Sequence, residues 1–161
     1  HLATLMKNKG VLIAMDVKQV KLDELARRAI RNKVNIIRTE TVKADNIKKR
    51  SGFADRILLD VPCSGLGVLK RNPDAKWKLK PEFLEEIKEV QAKIIQDYSQ
   101  MLKVGGKMVY ATCSVLKSEN VDQVATFLAN NRNYELEKQT RVSPANTGFD
   151  GFYMALIKRL A

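Results

Sequence analysis

Short apolar runs alternate along this chain with longer stretches of helical periodicity, and that alternation restricts the fold more than any other feature. Val11-Leu12-Ile13-Ala14-Met15 reads as a buried strand that ends at Asp16. Leu22, Leu25, Ala26 and Ala29 then mark a helix stripe ending near Asn32. Residues 34–37 form a second strand, and Arg56-Ile57-Leu58-Leu59-Asp60 a third. A loop rich in Pro, Gly and Asn follows, over residues 61–80. Pro81 opens the longest helix, with Phe83, Leu84, Ile87, Val90, Ile94, Ile95, Tyr98 and Leu102 at helical spacing and Gly105-Gly106 as its stop. Residues 107–111 are a fourth strand, and Val121, Val124, Ala125 and Leu128 mark another helix. Residues 134–139 and 152–158 are the last two strands, joined by a polar loop around Pro144 and Asn146. Near-continuous apolar strands separated by helices imply an α/β domain whose mostly parallel sheet is covered by helices on both faces. The final strand pair, with no helix between its members, adds an antiparallel hairpin at the C-terminal edge. A single domain over residues 1–161 is the expectation, since that length suffices for one core.

Composition removes several classes. At 45% hydrophobic and 29% charged the chain is neither disordered nor fibrous. No run approaches the ~18–20 apolar residues of a membrane span, and no charged-then-apolar leader is present, so a cytoplasmic, reducing compartment is expected. Two cysteines 50 positions apart make no disulfide framework, and one histidine excludes a Cys/His zinc site; no metal is expected. The net charge of +11 points to a polyanionic partner, nucleic acid above all, against the alternative of a solubilising lysine surface.

In open α/β sheets ligands bind beyond the carboxyl ends of the strands. The residues there are Asp16, the segment 39–45, Asp60 with Pro62-Cys63-Ser64-Gly65-Leu66-Gly67, and Thr112-Cys113-Ser114. Both cysteines therefore fall on one edge. Each alone reads as a small buried hydrophobe, but a pair so placed, without other metal ligands, suits nucleophilic chemistry. Asp16 is positioned to accept the ribose hydroxyls of an adenosine cofactor, or else to cap a helix. Asp60, ahead of the proline–cysteine turn, is a further acid at the same edge.

Leu59-Asp60-Val61-Pro62-Cys63-Ser64-Gly65-Leu66-Gly67, then Arg71-Asn72-Pro73, Lys76-Trp77, Tyr110-Ala111-Thr112-Cys113-Ser114 and Glu119-Asn120, closely resemble the Sun/Nop (RsmB-like) family of RNA cytosine-5 methyltransferases. Asp150-Gly151-Phe152-Tyr153-Met154-Ala155 is similar to that family's final strand. The resemblance implies a Rossmann-like class I methyltransferase fold, S-adenosylmethionine as cofactor, and RNA as substrate, ribosomal RNA ahead of transfer RNA. It implies that Cys113 is the nucleophile, that Cys63 helps release the product, and that Asp60 lies beside the cofactor's methyl end. Asp60, if protonated or sharing a proton, also suits hydrogen bonding to the ring nitrogen as charge builds there. The reacting thiol is expected to have its pKa lowered by cationic neighbours. Arg71, Lys76 and Trp77 fall in the region that borders the family's substrate cleft, where Arg and Lys neutralise phosphates and an indole stacks on a base; the alternative is a solvated basic loop with its aromatic packed beneath it.

Two departures accompany the resemblance. The family's glycine-rich cofactor loop does not occur in this sequence, which starts His1-Leu2-Ala3, so the first strand and that loop are expected to be missing and the N-terminal part truncated. The acid that the family places near the adenine, just after the strand that here ends near Thr41, falls at or beside Val42; Glu40 and Asp45 are the nearby acids, and Asp45 is the residue favoured. A DNA cytosine-5 methyltransferase is the competing enzyme reading, on Pro62-Cys63 and Glu119-Asn120-Val121. A non-catalytic RNA-binding module is the competing reading from another class. The chain is expected to be a monomer.

Overall fold

The computed structural model describes residues 1–161, with every side chain except that of Lys78. The chain forms two compact units, residues 1–49 and 50–161.

The first unit runs α1 (Leu2–Leu5), β1 (Leu12–Asp16), α2 (Gln19–Arg31), β2 (Ile37–Thr41) and α3 (Ala44–Lys49). Its two strands pair in parallel, from Leu12 opposite Ile37 to Asp16 opposite Thr41. The helix α2 buries Leu22 and Ala29 and carries Arg28 and Arg31 in its last turn, where cations complement the helix dipole. The second strand corrects the expectation of residues 34–37. Val34 and Asn35 belong to the connection, where the Asn35 N–H donates to Asn8 Oδ1 at 3.1 Å, and pairing begins only at Ile37. An apolar run located the neighbourhood, but backbone pairing fixed the strand on the polar residues that follow.

The second unit contains β3 (Ala54–Asp60), α4 (Ala75–Lys78), α5 (Pro81–Ser99), β4 (Leu102–Thr112), a 3-10 turn (Lys117–Glu119), α6 (Val121–Asn130), β5 (Tyr134–Val142), α7 (Pro144–Thr147) and β6 (Phe152–Arg159). Its four strands lie in the order β3-β4-β6-β5. The pair β3–β4 is parallel, and β6 is antiparallel to both of its neighbours. The terminal hairpin is thus present, with β6 inside the sheet and β5 at its edge. In β6, buried Tyr153, Ala155 and Ile157 alternate with partly exposed Phe152 and Met154, the period of a strand with one face on a core. That core joins Leu59, Ile95, Leu102, Met108, Tyr110, Phe127 and Tyr134.

The long helix ends earlier than its periodicity suggests. It stops at Ser99, whose carbonyl accepts from the Tyr134 hydroxyl at 3.0 Å, while the Gln100 carbonyl accepts from the Gly52 N–H at 3.0 Å. Helix-terminal carbonyls satisfied from other segments make a firm stop. Leu102 therefore belongs to β4, where it is fully buried, and Gly105-Gly106 interrupt a strand rather than a helix. Gly105 has φ +76°, and the β3–β4 register slips between Ala54 and Arg56 beside it, as at a bulge. Among the described residues no helix is long and apolar enough to cross a membrane.

Candidate active site

Asp60 and Ala111 are register partners at the carboxyl ends of the adjacent parallel strands β3 and β4. The chains leaving these strands start one strand spacing apart, about 4.8 Å, so side chains in the two following loops meet. Cys63 Sγ and Cys113 Sγ lie 3.2 Å apart, both half-buried and both free thiols. Burial, followed by the hydrogen bond to Cys113, pushes the Cys63 thiol from 9.0 up to about 12. For Cys63, the thiol not assigned to attack, desolvation disfavours the charged form, and its neighbour is another thiol rather than a cation. At neutral pH Cys63 is therefore protonated.

Each cysteine is followed by a serine, and both serines are buried. They converge on Glu119, which is fully buried. Glu119 Oε1 accepts from the Ser64 N–H at 2.7 Å and from Gln91 Nε2 at 3.0 Å. Its Oε2 accepts from the Ser64 hydroxyl at 2.5 Å and from the Ser114 hydroxyl. Gln91 also donates to the Pro62 carbonyl at 2.9 Å. Its own Oε1 is buried without a partner among the described residues, a cost of about 1–3 kcal/mol that its two donated bonds offset. The Glu119 backbone is fixed in turn, because the Tyr110 hydroxyl donates to its carbonyl at 2.8 Å. Asn120 closes the loop, accepting from Thr112 Oγ1 at 2.5 Å and donating to the Ser114 carbonyl at 3.0 Å.

A third segment is stitched to the same place. The Gly67 N–H donates to the Cys113 carbonyl at 2.8 Å, and the Gly151 N–H donates to the Gly67 carbonyl at 2.7 Å. Arg71 reaches Asp150 with a 2.6 Å ion pair, although the arginine side chain stays 80% exposed. Lys76 lies over the Trp77 ring, 4.9 Å from its centroid, and the indole is 81% exposed. The reading in which this aromatic packs beneath its loop does not hold.

The remaining acids are distributed as follows. Asp60 is exposed at the end of β3, in the same unit as the thiols. Asp16 closes β1 in the first unit, where it accepts from the Lys18 N–H at 2.8 Å and pairs with Lys21 at 3.2 Å. The Lys18 bond and the Lys21 charge hold its carboxyl below the usual carboxylate value. Asp45 is exposed in the first turn of α3. Among the described residues no group of three or more His, Cys, Asp or Glu could hold a metal ion. Sequence reasoning did not single out Ser64, Ser114 or Gln91, and took Glu119 only as part of a motif. The available signal was the repetition of Cys-Ser after two different strands.

The model of the 16S rRNA methyltransferase RsmB/F family matches residues 1–158. The chain belongs to that family. An RsmB/F relative, the ribosomal RNA small subunit methyltransferase B of Shewanella oneidensis, is 36% identical over 156 residues, covering 89% of this chain and 36% of its own length. The solved structure of PH0851 superposes with a TM-score of 0.93 at 28% identity, over 98% of this chain and 39% of that one. NSun6 from Pyrococcus horikoshii with SFG superposes with a TM-score of 0.84 at 24% identity, over 99% of this chain and 44% of that one, which speaks for the fold. The RsmB/F chain described here thus spans well under two thirds of these relatives, and its α/β fold is that of class I methyltransferases.

The raised groups give a pH dependence of stability. Tyr153 is pushed by burial from 10.0 to about 12, and Tyr110 is also raised, by burial first and then by the nearby Glu119 charge. A group whose pKa rises on folding binds more protons folded than unfolded between the two values, so stability is full below the lower value and falls as pH climbs. Melting temperatures should decline as pH rises from about 9 towards about 12, and Cys63→Ala should flatten the start of that decline. Circular-dichroism melts of both proteins across this range provide the check; parallel curves would contradict it.

Proposed function

We propose that the full-length protein is an S-adenosylmethionine-dependent RNA cytosine-5 methyltransferase acting on ribosomal RNA, and that residues 1–161 are part of its catalytic domain. The observation that carries this reading is the pair of free thiols 3.2 Å apart beyond two adjacent parallel strands. Carbon 5 of cytosine is a poor nucleophile until a thiolate adds at carbon 6 and converts the ring to an enamine. Cys113 is the attacking sulfur in this reading, as the resemblance to the family implies, and Cys63 is its protonated partner. Methyl transfer to carbon 5 is followed by loss of the carbon 5 proton to a base and expulsion of the Cys113 sulfur. A protonated Cys63 at 3.2 Å stabilises that sulfur as it departs, through an S–H donor aimed at the leaving thiolate. Asp60, exposed at the same strand edge, is assigned to the ring nitrogen, where a proton that it shares with the base would offset the charge that accumulates during addition.

The cofactor supplies an electrophilic methyl group on a sulfonium when bound. Asp16 suits its ribose: a carboxylate has about four acceptor sites, and two donors, Lys18 and Lys21, occupy this one. Asp45 is assigned to the adenine side and Asp60 to the methyl end. Arg71, Lys76 and the exposed Trp77 are assigned to RNA, with the indole offered as a stacking surface for a base. A base inside a helix is out of reach of the thiols, so the target is taken from a loop or flipped out.

The test is transfer of a labelled methyl group by the full-length protein to separated RNA classes. Label should appear in ribosomal RNA as 5-methylcytosine, and Cys113→Ala should reduce it at least ~10³-fold, as expected for loss of a nucleophile. Label at another atom of the base would overturn the assignment; label in transfer RNA alone would overturn the substrate.

A further inference from the structure

We infer that Glu119 is a positioning residue, one that sets the separation and orientation of the two thiols. The inference rests on the proposal that Cys63 and Cys113 act on the base, and it extends that proposal to a side chain that touches neither sulfur. Glu119 is joined to both reacting loops at the residue next to each cysteine: to Ser64 through its N–H and its hydroxyl, and to Ser114 through its hydroxyl. The two hydroxyls also approach one another at 3.1 Å. One carboxylate therefore holds both loops from beneath.

The choice of a carboxylate has a chemical reason. Four donors converge on this point, from Ser64 twice, Ser114 and Gln91. A carboxylate has acceptor sites for all of them, and bonds to a carboxylate in a buried setting are short and directional. Its own position is fixed by the Tyr110 bond to its carbonyl and by the neighbouring Asn120 bridge between Thr112 and Ser114. Sulfur–sulfur geometry alone would not persist, since each thiol sits in a loop whose side chain can rotate. The brace restricts both loops relative to the strands that carry them.

Glu119→Gln is nearly isosteric and tests this. The hydroxyls of Ser64 and Ser114 can turn to accept from an amide, so the variant can fold while losing the charge-assisted set. In the full-length protein the expected result is a kcat at least ~10-fold lower, with KM for RNA and cofactor within about twofold. A readout independent of RNA and cofactor is thiol–thiol cross-linking by diamide, an azodicarboxamide that takes up two electrons and two protons as the Cys63–Cys113 disulfide forms. Its rate should fall by a similar factor, because looser loops lower the effective concentration of one sulfur at the other. Should Glu119→Gln fail to fold, Ser114→Ala removes one of the four bonds and should give a smaller loss in the same two readouts. An unchanged cross-linking rate in a folded variant overturns the positioning role whatever methylation does. Slowed cross-linking with wild-type kcat overturns instead the reading of the thiols as reacting groups.

Discussion

Replacing Cys63 by alanine in the full-length protein is expected to leave a covalent protein–RNA adduct that survives a denaturing gel, whereas Cys113→Ala leaves none. The asymmetry follows from the proposed roles, attack by Cys113 and release assisted by Cys63. In the proposed mechanism burial and its partner keep Cys63 as a thiol, and its removal leaves Cys113 able to attack carbon 6, after which carbon 5 takes the methyl group. Release suffers, because the donor 3.2 Å from the departing sulfur is gone. A positioned proton donor typically contributes 10²–10⁴-fold, so release should slow by roughly that factor and the adduct should accumulate. Without Cys113 the enamine cannot form at all. The reverse pattern, with an adduct in Cys113→Ala, would assign attack to Cys63 and bring back the DNA-type reading of Pro62-Cys63.

Gly67→Ala should be the most damaging single methyl group that can be added near this site. A Cβ there would stand 2.2 Å from the Gly151 carbonyl oxygen and 2.6 Å from that of Cys113. Both obstacles are backbone, and the Gly67 peptide is hydrogen-bonded to both of those residues. Overpacking typically costs 1–3 kcal/mol and occasionally more; with no flexible side chain to yield, about 3 kcal/mol is expected, or a fall in melting temperature of roughly 10 °C. Gly52→Ala is the control. Its Cβ meets nothing within 4 Å, so only the left-handed φ of +62° is penalised, at about 1 kcal/mol. Equal melting losses in the two variants would show that the close approach of segments 67, 113 and 151 is not the cause.

The parts of this molecule that were legible in sequence are those set by local patterning. Apolar runs located β1, β3, β4 and β6, and their ends located the two cysteines, because strand termini and the loops that follow them are defined within a few residues. The apolar run put the second strand too early because Arg38, Thr39, Glu40 and Thr41 are polar, and pairing with β1 identifies them as strand. The end of α5 was misplaced because its stop is supplied by Tyr134 and Gly52, neither of them local. The brace was hidden for the same reason: Ser64 and Glu119 are 55 residues apart, and Gln91 and Glu119 are 28 apart. No helical or strand period connects such positions. The protonation of Cys63 was also out of reach, since it depends on how deeply the loop is covered.

Both sulfurs hang from neighbouring strands of one sheet, and their loops are tied to a single carboxylate. Mechanically the pair is one part rather than two. A hinge elsewhere in the full-length protein can change what the sulfurs face, or how a base approaches them, but their mutual geometry travels with the strands. A movement about such a hinge need not rebuild the pair; it need only present it.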